Sequence, residues 1–132
     1  MKNIELLEII NEFTVSNIDT SIKFYKNYFD FNIIDTYGNP INWAKLKKDN
    51  CTIMLETYNE VKKEIDNYPK KVSSSNLIKF KYKNKEQVLN LYNNLLKDNM
   101  RIFMNLKETE YASVEFGAYD PDNNMIIVSC DN

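Results

Sequence analysis

Three glutamates lie inside apolar, strand-like runs of the sequence, where a carboxylate is unusual. Glu12 stands in "IINEFTV", Glu56 ends "CTIMLE", and Glu115 lies in "SVEFGAY". Apolar surroundings disfavour the charged form of a carboxylate, so its pKa rises toward neutrality. Such a group can act as a base near neutral pH, or it can bind a cation. The sequence therefore offers carboxylate chemistry in one of these two forms.

The 132 residues include no histidine, two cysteines and two glycines. The missing histidine excludes Ser/His/Asp and Cys/His triads and every histidine-containing zinc site, and two thiolates are too few for an all-cysteine site. Two glycines cannot build a glycine-rich phosphate loop. Cys51 and Cys130 lie in apolar runs, so we predict that both are free and buried.

Length and composition predict one domain, residues 1–132, of ordinary globular type. Binding of nucleic acid usually needs a clustered basic face, and the net charge of −2 gives no electrostatic reason to expect such a partner. No apolar stretch approaches the roughly 20 residues that a membrane span needs. The N-terminus lacks the features of a signal peptide, so we predict a cytoplasmic protein that does not bind membranes.

The chain contains an internal repeat. The segment "FTVSNIDTSIKFYKNYF" (Phe13 to Phe29) aligns without a gap on "FKYKNKEQVLNLYNNLL" (Phe80 to Leu96). Both copies pass from an alternating strand through a polar cap, at Asn17 or Asp19 in the first copy, into an amphipathic helix. Three strand signals follow each helix, and the second of those in the second copy runs from Tyr111 to Tyr119. The sequence thus predicts an α+β fold of two tandem βαβββ modules, residues 9–56 and 76–130.

Residues 57–75 separate the two modules. Their sequence, beginning "TYNEVKKEIDNYPKK", is polar and ends in a serine run. We predict a short helix, about Tyr58 to Asp66, followed by an exposed linker.

This arrangement resembles the vicinal oxygen chelate superfamily, which contains glyoxalase I, bleomycin-resistance proteins and extradiol dioxygenases. The resemblance rests on "VSNIDTSIKFYKNYFDFNI", similar to the family's opening strand and helix, on "WAKLKKDNCTIMLE", similar to its hairpin, and on "YASVEFGAYDPDNN", similar to its closing DPDGN segment. The resemblance implies a glyoxalase/bleomycin-resistance fold, in which the modules form a curled mixed sheet around a concave cavity.

The resemblance also implies where metal-using relatives place their ligands, on the first and fourth strands of each module. In this sequence those positions are apolar: Ile10, Met54, Leu77 and Ile127. Hydrocarbon and thioether side chains do not bind hard divalent ions. The sequence therefore predicts no metal and no other cofactor, in keeping with the metal-free bleomycin-resistance branch.

Strand alternation indicates which side chains line the concave surface. Glu12, Met54 and Glu56 point the same way as the apolar ligand positions, and Glu115 lies opposite the inward-packing Phe116. Three aromatic residues, Trp43, Tyr111 and Tyr119, lie near strand ends, and the sequence leaves open which face of the sheet their side chains point to. We take these seven residues as the candidate ligand-binding set: Glu12, Trp43, Met54, Glu56, Tyr111, Glu115 and Tyr119. None of them is assigned a catalytic role.

Carboxylates with aromatic walls suit a planar, aromatic or cationic small molecule. The favoured hypothesis is a non-catalytic binder, such as a protein that sequesters an antibiotic. The alternatives are a metal-independent lyase or isomerase that uses a cavity glutamate as base, and a module whose concave face binds a partner or nothing.

Three simpler interpretations stay open for the candidate residues themselves. Trp43 could pack in the core, the glutamates could face solvent, and Lys79 and Lys81 could pair with the glutamates. The resemblance further implies a homodimer, with clefts between the protomers.

Overall fold

The computed structural model describes residues 4–69 and 77–132, and these fold into two four-stranded mixed sheets with three helices. The first sheet has the strand order β1-β4-β3-β2, with β1 parallel to β4 and the other pairs antiparallel. Its elements, with the helix that follows them, are β1 Asn11–Val15, α1 Ile18–Phe29, β2 Asn32–Tyr37, β3 Trp43–Lys48, β4 Cys51–Thr57 and α2 Tyr58–Glu64.

The second sheet repeats the topology, with the order β5-β8-β7-β6 and a parallel β5/β8 pair. Its elements are β5 Leu77–Tyr82, α3 Lys85–Lys97, β6 Ile102–Lys107, β7 Val114–Tyr119 and β8 Met125–Cys130. The predicted pair of βαβββ modules is therefore confirmed. The sheets stay separate within the described residues, and neither closes on itself.

Short polar side chains start all three helices. The side-chain oxygens of Asn17 and Asn84 accept hydrogen bonds from the third residue beyond, at 3.1 and 3.0 Å, and Thr57 does the same for α2 at 3.3 Å. Each bond satisfies a backbone N–H that the first turn leaves without a partner. Asn17, and not Asp19, is the N-cap of α1.

Strand alternation separates the two faces of each sheet. In the first sheet Phe13, Val15 and Leu55 are buried against α1, whereas Glu12 and Thr14 point the other way. In the second sheet Phe116, Ile126 and Val128 pack on the side of α3. The face of each sheet away from α1 or α3 is called its front face below.

The two modules are joined by an aromatic contact and by a buried carboxylate. The Phe80 ring lies 5.1 Å from that of Phe29. Asp120, in the β7–β8 turn, accepts a 2.6 Å hydrogen bond from the hydroxyl of Tyr25 on α1, and both side chains are almost fully buried. Asp120 also accepts from the backbone N–H groups of Asp122 and Asn124 and from the Asn124 amide. The turn is therefore fixed to the first module.

Several predictions for single segments need correction. Tyr111 lies in the loop before β7, because a turn closed by Thr109 and Ala112 delays the strand until Val114. Cys51 is exposed, because it begins β4 directly after the Asp49-Asn50 turn, whereas Cys130 is buried and free as predicted.

The segment between the modules is described only in part. The predicted linker helix is α2, which ends at Glu64. Residues 70–75 of the linker and residue 76 of the second module lie outside the described residues. Within residues 4–69 and 77–132, no helix is long and apolar enough to cross a membrane.

Candidate functional site

Four of the seven candidate residues share the front face of the first sheet. Glu12 is paired with Met54, and Trp43 is paired with Glu56, across neighbouring strands. Paired residues point to the same side of a sheet. The strand register therefore shows which face Trp43 points to: its side chain lies beside Glu56, on the face away from α1.

Helix α2 and the residues after it cover part of this front face. Val61 of α2 is 2% exposed, and α2 contacts both β1 and β4. The hydroxyl of Tyr68 lies 2.7 Å from that of Thr14, which points out from the front face. Asn42 donates a 3.3 Å hydrogen bond to Glu60 at the start of the helix. The segment between the modules is thus part of the candidate site.

Glu56 is the most perturbed carboxyl group on this face. It is 4% exposed, between Glu12 on β1 and Glu64 on α2. Burial, followed by its hydrogen bond with Glu64 and the charge of Glu12, raises the pKa of Glu56 to about 8. Each cause disfavours the ionised form, so Glu56 carries a proton at neutral pH. A protonated carboxyl can donate a hydrogen bond, which explains how three glutamates lie together.

The front face of the second sheet carries the other buried glutamate. Glu115 is 2% exposed and is paired with Ser129. Its Oε1 accepts a 2.8 Å hydrogen bond from the Tyr111 hydroxyl, and this bond raises the pKa of Tyr111. Its Oε2 is buried, and no described residue donates to it. A buried acceptor without a donor destabilises the fold, so this oxygen lacks a hydrogen bond that a buried acceptor normally has.

Aromatic side chains from β6, from β7 and from the loop before β7 lie near the strand that carries Glu115. Gly117 points to the same face, and a Cβ there would fall 2.3 Å from the far end of the Phe103 ring, so only glycine leaves room for that ring. Phe103 contacts Tyr119 at 5.1 Å, and the Arg101 guanidinium lies 4.9 Å from the Tyr119 ring. Lys79 lies 5.4 Å from the ring of Tyr111.

The seven candidates therefore form two groups on two separate sheets. Glu12, Trp43, Met54 and Glu56 lie on the first sheet, and Tyr111, Glu115 and Tyr119 belong to the second. Trp43 is half-buried at the front face, so it is not a core residue. Lys79 lies over Tyr111 and Lys81 pairs with Asp131, so neither lysine neutralises Glu12 or Glu56.

Sequence reasoning missed three contributors: Glu64, Phe103 and Arg101. Glu64 reaches Glu56 only because α2 folds back over the sheet, which no spacing in the sequence indicates. Gly117 could have indicated that a bulky side chain packs against β7, since a glycine inside a strand often marks the close approach of another group. That side chain is Phe103.

The four positions that hold ligands in metal-using relatives do not fit a metal here. Ile10 precedes β1, Leu77 begins β5, and Met54 and Ile127 lie on β4 and β8, and all four side chains are apolar. Across the described residues, no three His, Cys, Asp or Glu side chains are arranged to hold a metal ion.

Comparison with known proteins identifies the family. Residues 8–128 match the sequence model of the glyoxalase/bleomycin resistance protein/dioxygenase superfamily. The chain belongs to this superfamily. No curated protein matches its sequence.

Solved structures of the superfamily share the fold at low sequence identity. A glyoxalase-related enzyme from Fulvimarina pelagi superposes with a TM-score of 0.81 at 11% identity, over 96% of this chain and 89% of that one. A glyoxalase/bleomycin resistance protein/dioxygenase family enzyme from Burkholderia phytofirmans PsJN gives 0.80 at 18%, over 93% and 97%. A lactoylglutathione lyase from Agrobacterium tumefaciens gives 0.76 at 14%, over 97% and 96%.

Proposed function

We propose that this superfamily member binds a small planar or aromatic cation non-covalently at its front faces, and that binding itself is its function, as in sequestration of an antibiotic. The observation that carries the proposal is the buried Oε2 of Glu115, which has no donor among the described residues. A positively charged N–H group would supply that donor.

The surroundings of Glu115 support the same ligand chemistry. The ring of Phe103 packs close to Gly117 on the same face and offers a surface for stacking, and Tyr111, 66% exposed, connects the buried carboxylate to the surface. Stacking and charge pairing together favour a planar cation over a neutral ring or an aliphatic amine.

The first experiment is a thermal-shift titration with benzamidine, a planar cation, against benzamide, its neutral analogue, and a bleomycin-type glycopeptide. A ligand at about 100 times its Kd adds roughly 2.7 kcal/mol of stability. We expect the cations to raise the Tm and benzamide to have no effect.

The matched variants are Glu115→Gln and Glu110→Gln. Glu115→Gln keeps an acceptor for Tyr111 but removes the buried charge, so binding should weaken by about tenfold or more. Glu110 is exposed in the loop that contains Tyr111, and we expect Glu110→Gln to leave the affinity unchanged. Equal affinity in all three proteins, or no stabilisation by any cation, would refute the proposal.

The second part of the proposal is that the protein is a homodimer whose clefts combine the first sheet of one copy with the second sheet of the other. Its support is exposed apolar surface. Residues before β1 include Leu6, Leu7 and Ile9, which are 79%, 83% and 85% exposed. The edge strand β2 is exposed along its whole length and carries Ile33 and Ile34. Apolar patches and open strand edges of this kind mark contact surfaces.

Light scattering coupled to gel filtration tests the assembly. We expect the mass of a dimer for the native chain and of a monomer for Leu6→Asp/Leu7→Asp, with unchanged circular dichroism. A native chain that stays monomeric at high concentration contradicts this part of the proposal while leaving the ligand chemistry of Glu115 to its own test.

One observation favours a second candidate function, a metal-independent lyase or isomerase. The pKa of Glu56, about 8, is close to that of an efficient general acid or base at neutral pH. The test is lactoylglutathione lyase activity in the presence of a chelator. Activity that survives the chelator and is lost in Glu56→Gln would establish this function, and no activity in the native chain would eliminate that lyase reaction.

A further inference from the structure

A groove of about 420 Å³ lies between α1 and the second module, outside both clusters of glutamates. One wall is a stripe of α1 that includes Lys23, Phe24 and Tyr28. The other consists of the loop after α3, with Met100 and Arg101, and the end of β7 with its turn, including Tyr119. The volume falls in the range of small-molecule sites. Since α1 is joined to this turn by the Tyr25–Asp120 hydrogen bond, the walls are held at a fixed spacing.

The charge that this groove leaves unpaired is positive. Neither Lys23 nor Arg101 forms an ion pair with any residue in the described ranges. Arg101 donates one 3.1 Å hydrogen bond, to the backbone oxygen of Asp120, and stacks on Tyr119. These contacts orient the guanidinium without neutralising it, and its other N–H groups stay available.

The acidic groups near the groove are already engaged. Asp120 is the one carboxylate among the lining residues. It is 1% exposed, and each of its two oxygens accepts two hydrogen bonds. Asp98 accepts from the Tyr28 hydroxyl at 2.8 Å, and Asp122 accepts from Ser16 and Ser21. A ligand that enters the groove therefore meets two cations, apolar and aromatic side chains, and the neutral polar side chains of Thr20, Asn27 and Asn99.

We propose that this groove is a second binding site, for a small organic anion with a ring. Its carboxylate or phosphate group lies between Lys23 and Arg101, and its ring lies against the side chains of Phe24, Met100 and Tyr119. The chemistry is opposite in sign to that at Glu115, so the two sites take different ligands.

Calorimetric titration with phenyl phosphate, benzoate and benzyl alcohol tests the proposal on the native chain. Phenyl phosphate and benzoate distinguish a phosphate from a carboxylate as the preferred anion, and the neutral alcohol measures the contribution of the ring. We expect one of the two anions to bind, the alcohol to bind at least tenfold more weakly, and inorganic phosphate to bind more weakly than phenyl phosphate. Absence of binding by both ring anions overturns the proposal.

Three substitutions locate the site. Arg101→Gln and Lys23→Gln should each weaken anion binding by about tenfold, the loss expected for one charge-assisted hydrogen bond. Arg101→Lys keeps the charge and should recover part of the affinity. Lys26→Gln is the matched control, since Lys26 is exposed on α1 but does not line the groove.

Two results place the anion elsewhere. If Lys26→Gln weakens binding as much as Lys23→Gln, the attraction is a property of the whole surface. If Glu115→Gln changes anion affinity as much as Arg101→Gln does, the anion lies at the front face. Either result overturns the groove as a site, and neither affects the benzamidine test of Glu115.

Discussion

Two glutamates with nearly equal exposure, Glu56 at 4% and Glu115 at 2%, have different partners on the front faces. Glu56 is bonded to other carboxyl groups, which favour its protonated form. Glu115 accepts a hydrogen bond from the Tyr111 hydroxyl, and its other oxygen has no donor among the described residues. The first residue stores a proton at neutral pH, and the second offers an acceptor to a ligand.

The raised pKa of Glu56 predicts a pH-dependent stability. Its pKa is about 8 in the folded protein, well above the value of 4.5 for an ordinary glutamate. At a pH between these two values, the folded state therefore holds a proton that the unfolded state has released. The contribution of Glu56 to stability is complete below its unfolded pKa and is lost as the pH rises through about 8. We expect the free energy of unfolding to fall by roughly 4 kcal/mol from about pH 5 to about pH 9.

Thermal melts across this range in the native chain and in Glu56→Gln measure the effect. The amide cannot ionise, so its curve should be flatter between about pH 5 and about pH 8, whereas Glu110→Gln should follow the native chain. An unchanged slope in Glu56→Gln would assign the pH dependence to other groups.

At the scale of elements, α2 determines how buried Glu56 is. The helix has one buried apolar residue, Val61, and it is held at its far end by the bond between Tyr68 and Thr14. A seven-residue helix has little stability of its own, so tertiary contacts decide its position.

Tyr68→Phe should therefore loosen α2 without unfolding the sheet. Loss of the 2.7 Å bond costs about 0.5–1.5 kcal/mol. Hydrogen exchange of the α2 amides should accelerate while the β4 amides stay protected, and the pKa of Glu56 should fall as water reaches it. Tyr58→Phe is the control, because its hydroxyl makes a long 3.5 Å bond. Equal exchange in both variants would show that the Tyr68 hydroxyl does not hold the helix.

The sequence predicted the strands and their faces better than it predicted the contacts across them. Phe13 and Phe80 lie at equivalent positions of β1 and β5, and alternation along the separate strands placed Glu12, Met54, Glu56 and Glu115 on the front faces as observed. The position of α2 was not predictable, because its polar sequence shows one apolar anchor and no periodic face. Loop geometry likewise removed Tyr111 from the strand, through a turn between Thr109 and Ala112 that propensity does not indicate.

At the scale of the whole molecule, Tyr25 links the two modules. Its hydroxyl donates to Asp120 inside the core, and a hydrogen bond to a charged group typically contributes 1.5–3 kcal/mol. Tyr25→Phe should lower the free energy of unfolding by about 2 kcal/mol, or several degrees in Tm.

The repeat supplies the control for this variant. Tyr92 is the equivalent of Tyr25 in the second copy, but its hydroxyl makes a 3.4 Å bond to Asn105 at the surface. Tyr92→Phe should change the Tm by less than a degree or so, the size expected for an exposed bond. Equal losses in the two variants would mean that Asp120 does not join the modules.

The contact between α1 and the turn at Asp120 does not depend on the peptide connection between the modules. The aromatic pair Phe29–Phe80 and the bonds from Ser16 and Ser21 to Asp122 also cross from one half to the other. A chain cut between α2 and β5 would keep all of these contacts. Two separately produced fragments, 1–69 and 77–132, should thus reassemble when mixed, which makes this protein a scaffold for a complementation reporter.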